Sequence, residues 1–287
     1  MRRGFRSIVL CTIFALAGQV PEAAARGLDR NPSANVAFDL YFDYLIVVQT
    51  TAGPLKGLHF LLDTGATPSV IDPHIASRLH LNTSPIQIAV LNGTSAAATA
   101  TLPSLRIGPI QKENFPVLIE DLAFLAKTLP VQVDGILGLD VLGQSPFLID
   151  YASRRILFGA APALSTSVPI QLKQGLPMVS ATVNQQPVQL LLDTGAPSLI
   201  LFQAPAVLTA SDQLVSSKSI GDYDHKKVRL RSFALGHTTF TDEPAFLVPS
   251  RKDSGHNFDG LMSPAALGIT RVSVDLPNGE LGFSRER

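Results

Sequence analysis

Phe60-Leu61-Leu62-Asp63-Thr64-Gly65-Ala66 recurs in the same chain as Leu190-Leu191-Leu192-Asp193-Thr194-Gly195-Ala196, the two aspartates lying 193 − 63 = 130 positions apart. Each copy is an apolar run that ends in a carboxylate, a threonine and a glycine, which reads as an acid held at the end of a buried strand by a tight turn. Gly65 and Gly195 permit backbone conformations and close approaches that a side chain forbids. One chance Asp-Thr-Gly in a chain of this length has odds of about one in twenty at ordinary residue frequencies. Two copies in register with further matches do not arise by chance.

Those matches extend through both halves. Leu102, Ser104, Gly108 and Pro116 answer to Leu230, Ser232, Gly236 and Pro244. Asp134-Gly135-Ile136-Leu137 answers to Asp259-Gly260-Leu261-Met262, and Leu148-Ile149-Asp150 to Ser273-Val274-Asp275. A repeat on this scale means one structural unit written twice. The first unit is expected over residues 36–160 and the second over 168–287, joined through the small-residue stretch 160–167, each near ordinary domain size.

Within a unit the pattern is mostly β. Short apolar or alternating runs such as Leu45 to Val48, Ile86 to Val90, Phe115 to Ile119 and Arg155 to Phe158 are punctuated by Gly and Pro. Asn92-Gly93 reads as a hairpin turn, since both residues tolerate positive φ. Helices are few and short: Asp72-Pro73 is an N-cap followed by a first-turn proline opening a helix to about His80, with a weaker counterpart around Gln203 to Leu208. The expectation is therefore an all-β protein of two homologous lobes related by a pseudo-twofold axis.

Composition limits the functions open to such a chain. It is 46% hydrophobic and 16% charged, enough to bury a large core. Lys plus Arg equals Asp plus Glu at 23 each, so no whole-chain charge favours nucleic acid or an anionic membrane. Arg2, Arg3 and Arg6 precede an apolar run from Ile8 to Gly18 and then Ala23-Ala24-Ala25, the layout of a signal peptide over residues 1–25. That run is about 11 residues against roughly 20 for a spanning helix, so cleavage and export to a periplasm or the exterior are expected, with no stable membrane span afterwards. The single cysteine, Cys11, lies inside this segment behind Leu10, where a lipoprotein signal has a small residue. Its removal would exclude disulfides, thiol catalysis and thiolate metal sites.

Other chemistries lack their patterns. The six histidines show no metal-ligand spacing and read as surface residues, so neither a metal nor another cofactor is expected. No Gly-x-Ser-x-Gly elbow or glycine-rich phosphate loop occurs. His225 to Arg231 reads as a strand with one solvated basic face. Asp134 and Asp259, before Gly-apolar-apolar, read as turn formers.

If the repeat makes a local twofold axis, the two Asp-Thr-Gly loops meet on it, because elements near such an axis touch their own copies. Two carboxyls about 3 Å apart cannot both ionise, which yields an acid and a base side by side. Such a pair can activate a water for attack on a peptide carbonyl without metal or covalent intermediate. Thr64 and Thr194 are placed to hydrogen-bond across the axis.

Leu-Leu-Asp-Thr-Gly-Ala followed by Pro-Ser-Val-Ile or Pro-Ser-Leu-Ile, and later Asp134-Gly135-Ile136-Leu137-Gly138, closely resembles the retropepsin-like and pepsin-like aspartyl proteases. The resemblance spans nearly all of the chain after the leader. It implies a fused form of the retropepsin dimer, with lobes of the acid-protease β-barrel type, a catalytic Asp63/Asp193 dyad supported by Thr64, Gly65, Thr194 and Gly195, and a polypeptide substrate. It implies that Ile136-Leu137-Gly138 passes beneath the first loop, and that flaps carrying Asn92, Gly93 and Thr94 in lobe one and Gly221, Asp222 and Tyr223 in lobe two close over substrate. A fused pair has no need to dimerise, so a monomer is expected.

The departures from the family carry expectations too. Ser263 stands where a glycine should follow Leu261-Met262, so lobe two is expected to be distorted there. Ala66 and Ala196 lack the hydroxyl that many pepsins place after the glycine, which with one donor fewer predicts an optimum in mildly acidic to near-neutral conditions. Apolar residues at Leu199 to Phe202 and in the flaps predict hydrophobic side chains on both sides of the cut. The alternative to an endopeptidase is a catalytically silent two-lobed module that keeps the cleft and captures peptides or a protein.

Overall fold

The computed structural model describes residues 35–90, 93–127, 129–159, 162–202, 213–220, 223–248 and 257–285. The leader at 1–25, the counterpart helix around 203–208 and the tips at Asn92, Gly221 and Asp222 lie outside them.

The first copy runs β1 (Asn35–Tyr41), β2 (Leu45–Ala52), β3 (Leu55–Leu62), β4 (Val70–Ile71), β5 (Ser84–Val90), β6 (Gly93–Ile107), β7 (Ile110–Ile119), β8 (Gly135–Leu137), β9 (Phe147–Asp150) and β10 (Arg155–Phe158). The second repeats that order as β11 (Thr166–Lys173), β12 (Leu176–Val183), β13 (Gln186–Leu192), β14 (Leu199–Leu201), β15 (Gln213–Ile220), β16 (Tyr223–Leu235), β17 (Thr238–Leu247), β18 (Gly260–Met262), β19 (Arg271–Asp275) and β20 (Glu280–Ser284). Helices are brief: α1 (Pro73–Arg78), α2 (Ala123–Ala126) and α3 (Leu139–Leu142), with a 3₁₀ turn at Ala265–Leu267. The protein is thus all-β and two-lobed, as the repeat implies.

Pairings repeat strand for strand. In lobe one β2 lies between β3 and β6, β3 runs parallel to β8, and β4 is wedged between β7 and β8. In lobe two β12, β13 and β14 do the same with β16, β17 and β18. The lobes join through an antiparallel sheet ordered β1-β10-β9-β19-β20-β11, whose central pair sets Phe147 opposite Val274 and Ile149 opposite Val272. That pairing puts the local twofold axis between β9 and β19.

Burial follows alternation. Along β3, Phe60 and Leu62 enter the core that runs through both lobes, and Leu61 faces a smaller cluster with Ala66, Val70 and Ile136. Along β13, Leu190 and Leu192 do the same while Leu191 joins Ala196, Ile200 and Leu261. Fully burying each such side chain contributes about 1.5–3 kcal/mol. The run before each aspartate is apolar on both faces because both faces are covered.

Turn chemistry behaves as the residues dictate. Asp72 caps α1 by accepting the His74 N–H at 3.0 Å, with Pro73 in the first turn. Gly108 and Gly236 sit at φ +52° and +58° in equivalent hairpin turns, where an added Cβ would strike Val36 at 2.4 Å and Val168 at 2.6 Å.

Candidate active site

Asp63 and Asp193 leave the ends of β3 and β13, each with its N–H donating at 3.0 Å to the parallel strand beside it, to Leu137 O and Met262 O. The chain then folds back, Ala66 N–H donating to Asp63 O at 3.3 Å and Ala196 N–H to Asp193 O at 3.4 Å. Each carboxyl accepts the N–H two residues on, Gly65 to Asp63 Oδ1 at 2.7 Å and Gly195 to Asp193 Oδ1 at 2.8 Å. Asp63 and Asp193 are 1% and 0% exposed.

The two loops interlock. Thr64 Oγ1 donates to Leu192 O at 2.7 Å, and Thr194 Oγ1 donates to Leu62 O at 3.1 Å. A Cβ on Gly65 would sit 2.8 Å from Asp193 Cγ, and one on Gly195 would sit 2.8 Å from Asp63 Oδ2. These glycines therefore serve close approach; neither lies at positive φ. The loops can share the axis only because each presents bare backbone to the other's carboxyl.

Electrostatics follow from this enclosure. Burial, then the negative charge of Asp193, pushes the Asp63 pKa well above the ordinary carboxyl value, against the pull of the Gly65 and Gly195 N–H groups. Asp63 Oδ2 is buried with no hydrogen-bond donor among the described residues. A bond to the Asp193 carboxyl forms only when one of the two carries a proton, so the geometry favours a singly protonated pair.

The other expected site residues are placed as follows. Gly93 and Thr94 open β6, where Gly93 pairs with Val90 and Thr94 with Ala89, so the connection is residues 91–92 and Gly93 belongs to the ladder instead of the turn. Tyr223 pairs with Ile220 in the equivalent hairpin, whose connection is 221–222. Leu199 to Leu201 form a buried strand, at 0%, 2% and 1% exposure, so they are core rather than pocket wall. β17 and β18 pair with them on either side.

Ser263 does not distort the ladder. Leu191 still pairs with Leu261 and Leu192 with Met262, matching Leu61 with Ile136 and Leu62 with Leu137. In lobe one the Leu139 N–H donates to Ala66 O at 2.9 Å and draws Gly138 so close that a Cβ there would lie 2.5 Å from that oxygen. Pro264, at the position of Leu139, has no N–H and cannot make this bond, which relieves the crowding that requires glycine. The cost is a buried Ser263 Oγ with no partner among the described residues.

Two features escaped pattern reading. Asp134 Oδ2 accepts the His59 N–H at 2.8 Å and Asp259 Oδ2 the Gln189 N–H at 2.7 Å, clasping the inner strands of both lobes. His74 is no plain surface residue: its ring bridges Asp72 Oδ1 at 2.5 Å and Asp134 Oδ1 at 2.9 Å. Such a bridge has no periodic signal. Among the described residues no group of His, Cys, Asp and Glu could hold a metal, and no helix is long and apolar enough to cross a membrane.

A two-lobed β fold carrying one Asp-Thr-Gly-Ala loop per lobe at a local twofold axis is the aspartyl protease type. The family model described as "Aspartyl protease" matches twice, over residues 50–141 and 179–269, and the chain belongs to that family. A solved structure, basic 7S globulin from soybean, is similar in fold: 14% identity, 89% of this chain and 95% of that chain covered, TM-score 0.51. No curated protein matches.

Proposed function

We propose that the protein is an aspartic endopeptidase that cleaves polypeptides with water activated by the Asp63/Asp193 dyad. The observation that carries this reading is the buried pair itself: two acids from repeated loops, one of them with an oxygen that no donor among the described residues satisfies. The ionised member takes a proton from a water held between them as its oxygen attacks the carbonyl carbon, and the protonated member gives its proton to the carbonyl oxygen. A proton then passes to the amine nitrogen as the C–N bond breaks. The interlocked Thr64 and Thr194 hold both carboxyls in place without touching substrate.

The same reading includes export directed by residues 1–25, lobes divided as 36–160 and 168–287, action as a monomer and use of no cofactor. The hairpins β5–β6 and β15–β16 would lie over the substrate, carrying Asn92, Gly93 and Thr94, and Gly221, Asp222 and Tyr223.

A silent peptide- or protein-binding module is the competing reading, favoured by one observation, the Ser263-Pro264 pair that removes a brace from the Asp193 loop. Peptide cleavage by the parent, Asp63→Asn and Asp193→Asn between about pH 3 and 8 separates the two. Hydrolysis in the parent that falls by about 10²–10⁴-fold in both variants supports the peptidase. A parent that binds peptides and cleaves none at any pH leaves the module.

A further inference from the structure

The two aspartate loops are braced differently. Val70 and Ile200 hold the same place in their lobes, pairing with Ile136 and Leu118 in one and Leu261 and Phe246 in the other. The residue before each is Ser69 in lobe one and Leu199 in lobe two, so Pro68-Ser69 and Pro197-Ser198, alike in sequence, are one position out of structural register. By the β8 and β18 ladders, Gly138, Leu139 and Asp140 correspond to Ser263, Pro264 and Ala265.

In lobe one these positions build a polar bracket. The Ser69 N–H donates to Asp140 Oδ2 at 2.8 Å and its hydroxyl donates to Asp140 Oδ1 at 2.6 Å. The Ser69 Oγ in turn accepts the Gly138 N–H at 2.9 Å, while the Ser69 carbonyl accepts the Leu118 N–H at 2.9 Å. Every polar group of the residue that follows the Asp63 loop is thereby fixed, and Ser69 is fully buried. Lobe two has a leucine for the serine and an alanine for the aspartate, and its loop is held by packing of Ala196, Ile200 and Leu261.

Asp140 is an expensive group to keep. The residue is only half-buried, yet its carboxyl is dry enough that desolvation raises its pKa, with the two Ser69 bonds and the Val141 N–H pulling the other way. Lys112, whose pKa is lowered by partial burial, is held the other way by the Asp140 charge. An apolar pair fills the same position in lobe two, so the fold itself does not require the bracket.

We propose that Asp140 is a positioning residue for Asp63: through Ser69 it locks the backbone behind that aspartate, so that lobe one supplies the fixed half of the dyad and lobe two the adjustable half. This rests on the peptidase reading, in which a displacement of either carboxyl by a fraction of an ångström weakens the shared-proton contact. Asp140 acts on the dyad only through the Ser69 loop.

The test uses the full chain with Asp140→Asn, which keeps the shape but turns one acceptor into a donor facing Ser69, and the double substitution Ser69→Leu/Asp140→Ala, which copies lobe two. Peptide kcat and KM, the pH–rate profile, thermal midpoint and a ¹³C carboxyl titration of Asp63 are read in each. The expected result is a kcat lower by about 10- to 100-fold with KM within about twofold, a displaced pH–rate profile and a shifted Asp63 titration, in protein that stays folded. Ser69→Thr, which retains both donors, should behave as the parent. Unchanged kcat and Asp63 titration overturn the proposal, as does a loss explained by the unfolded fraction alone. Should the parent cleave nothing, the peptidase reading fails by itself, and the Asp63 titration in Asp140→Asn still decides the bracket.

Discussion

Thr64 and Thr194 exchange hydrogen bonds across the local axis, the N–H of Thr64 donating to Thr194 Oγ1 at 3.0 Å and the N–H of Thr194 to Thr64 Oγ1 at 3.1 Å. Both hydroxyls then donate onward to the opposite lobe, so four buried bonds tie two loops that are 130 residues apart in sequence. Thr64→Val or Thr194→Val strands a buried N–H and a buried carbonyl at once, at an expected cost of about 1–3 kcal/mol per orphaned group. Thr64→Val orphans the Thr194 N–H and the Leu192 carbonyl, and Thr194→Val the Thr64 N–H and the Leu62 carbonyl; once either substitution loosens the paired loops, water reaches the groups the other would orphan, so the double variant should lose less than the sum. A double-mutant cycle by denaturant unfolding checks this, and strictly additive losses would argue against the interlock.

Gly65→Ala and Gly195→Ala should abolish peptide cleavage, since each Cβ meets the other lobe's carboxyl at 2.8 Å. Gly57→Ala is the control: its φ is +67° with nothing within 4 Å of a Cβ, so it should cost about 1–2 kcal/mol in backbone strain and leave the rate unchanged. Equal rates in Gly65→Ala and Gly57→Ala would contradict the close approach.

Asp63 should make stability depend on pH in a definite direction. Its pKa is raised in the folded chain above the ordinary 3.8, so the folded form keeps a proton that the unfolded form releases. The stability linked to that proton is fully present below 3.8 and is lost as pH rises through the folded pKa. Asp63→Asn removes this dependence, so its thermal midpoint should exceed the parent's by more at pH about 7 than at pH about 4. A gap that stays constant or shrinks with rising pH rules this out.

Ser263→Ala deletes a buried hydroxyl that has no partner among the described residues. Removing an unsatisfied polar group should leave stability unchanged or raise it by about 1 kcal/mol, measured by denaturant midpoint. A loss beyond about 1 kcal/mol would mean that the hydroxyl is satisfied in solution.

Several features were legible from residues alone. Leu61, Leu62, Leu191 and Leu192 before their aspartates announced covered strands, and Asp72-Pro73 announced the start of α1. The hairpin at Asn92-Gly93 was located to within one position, because turn propensity marks a short segment while the cross-strand partner Val90 decides which residues join the ladder. Leu199 to Phe202 read as pocket walls, since an apolar run after a tight turn has the same composition whether it lines a cleft or enters a sheet. The Ser69–Asp140 bracket had no signal at all; its members are 71 positions apart, and the Pro-Ser match pointed to the wrong register.

The sequence by itself determined that one β unit is written twice and that each copy ends a buried strand in an acid and a glycine, because alternation, turn residues and repetition are local properties of the chain. Only the tertiary structure decided that Gly65 and Gly195 face the opposite carboxyls, that Ser263 is accommodated beside Pro264, and that one loop is braced by a buried carboxylate while its twin is not. Those outcomes depend on contacts between residues 69 to 132 positions apart, which exist only once each lobe has folded and the two have closed on their shared axis.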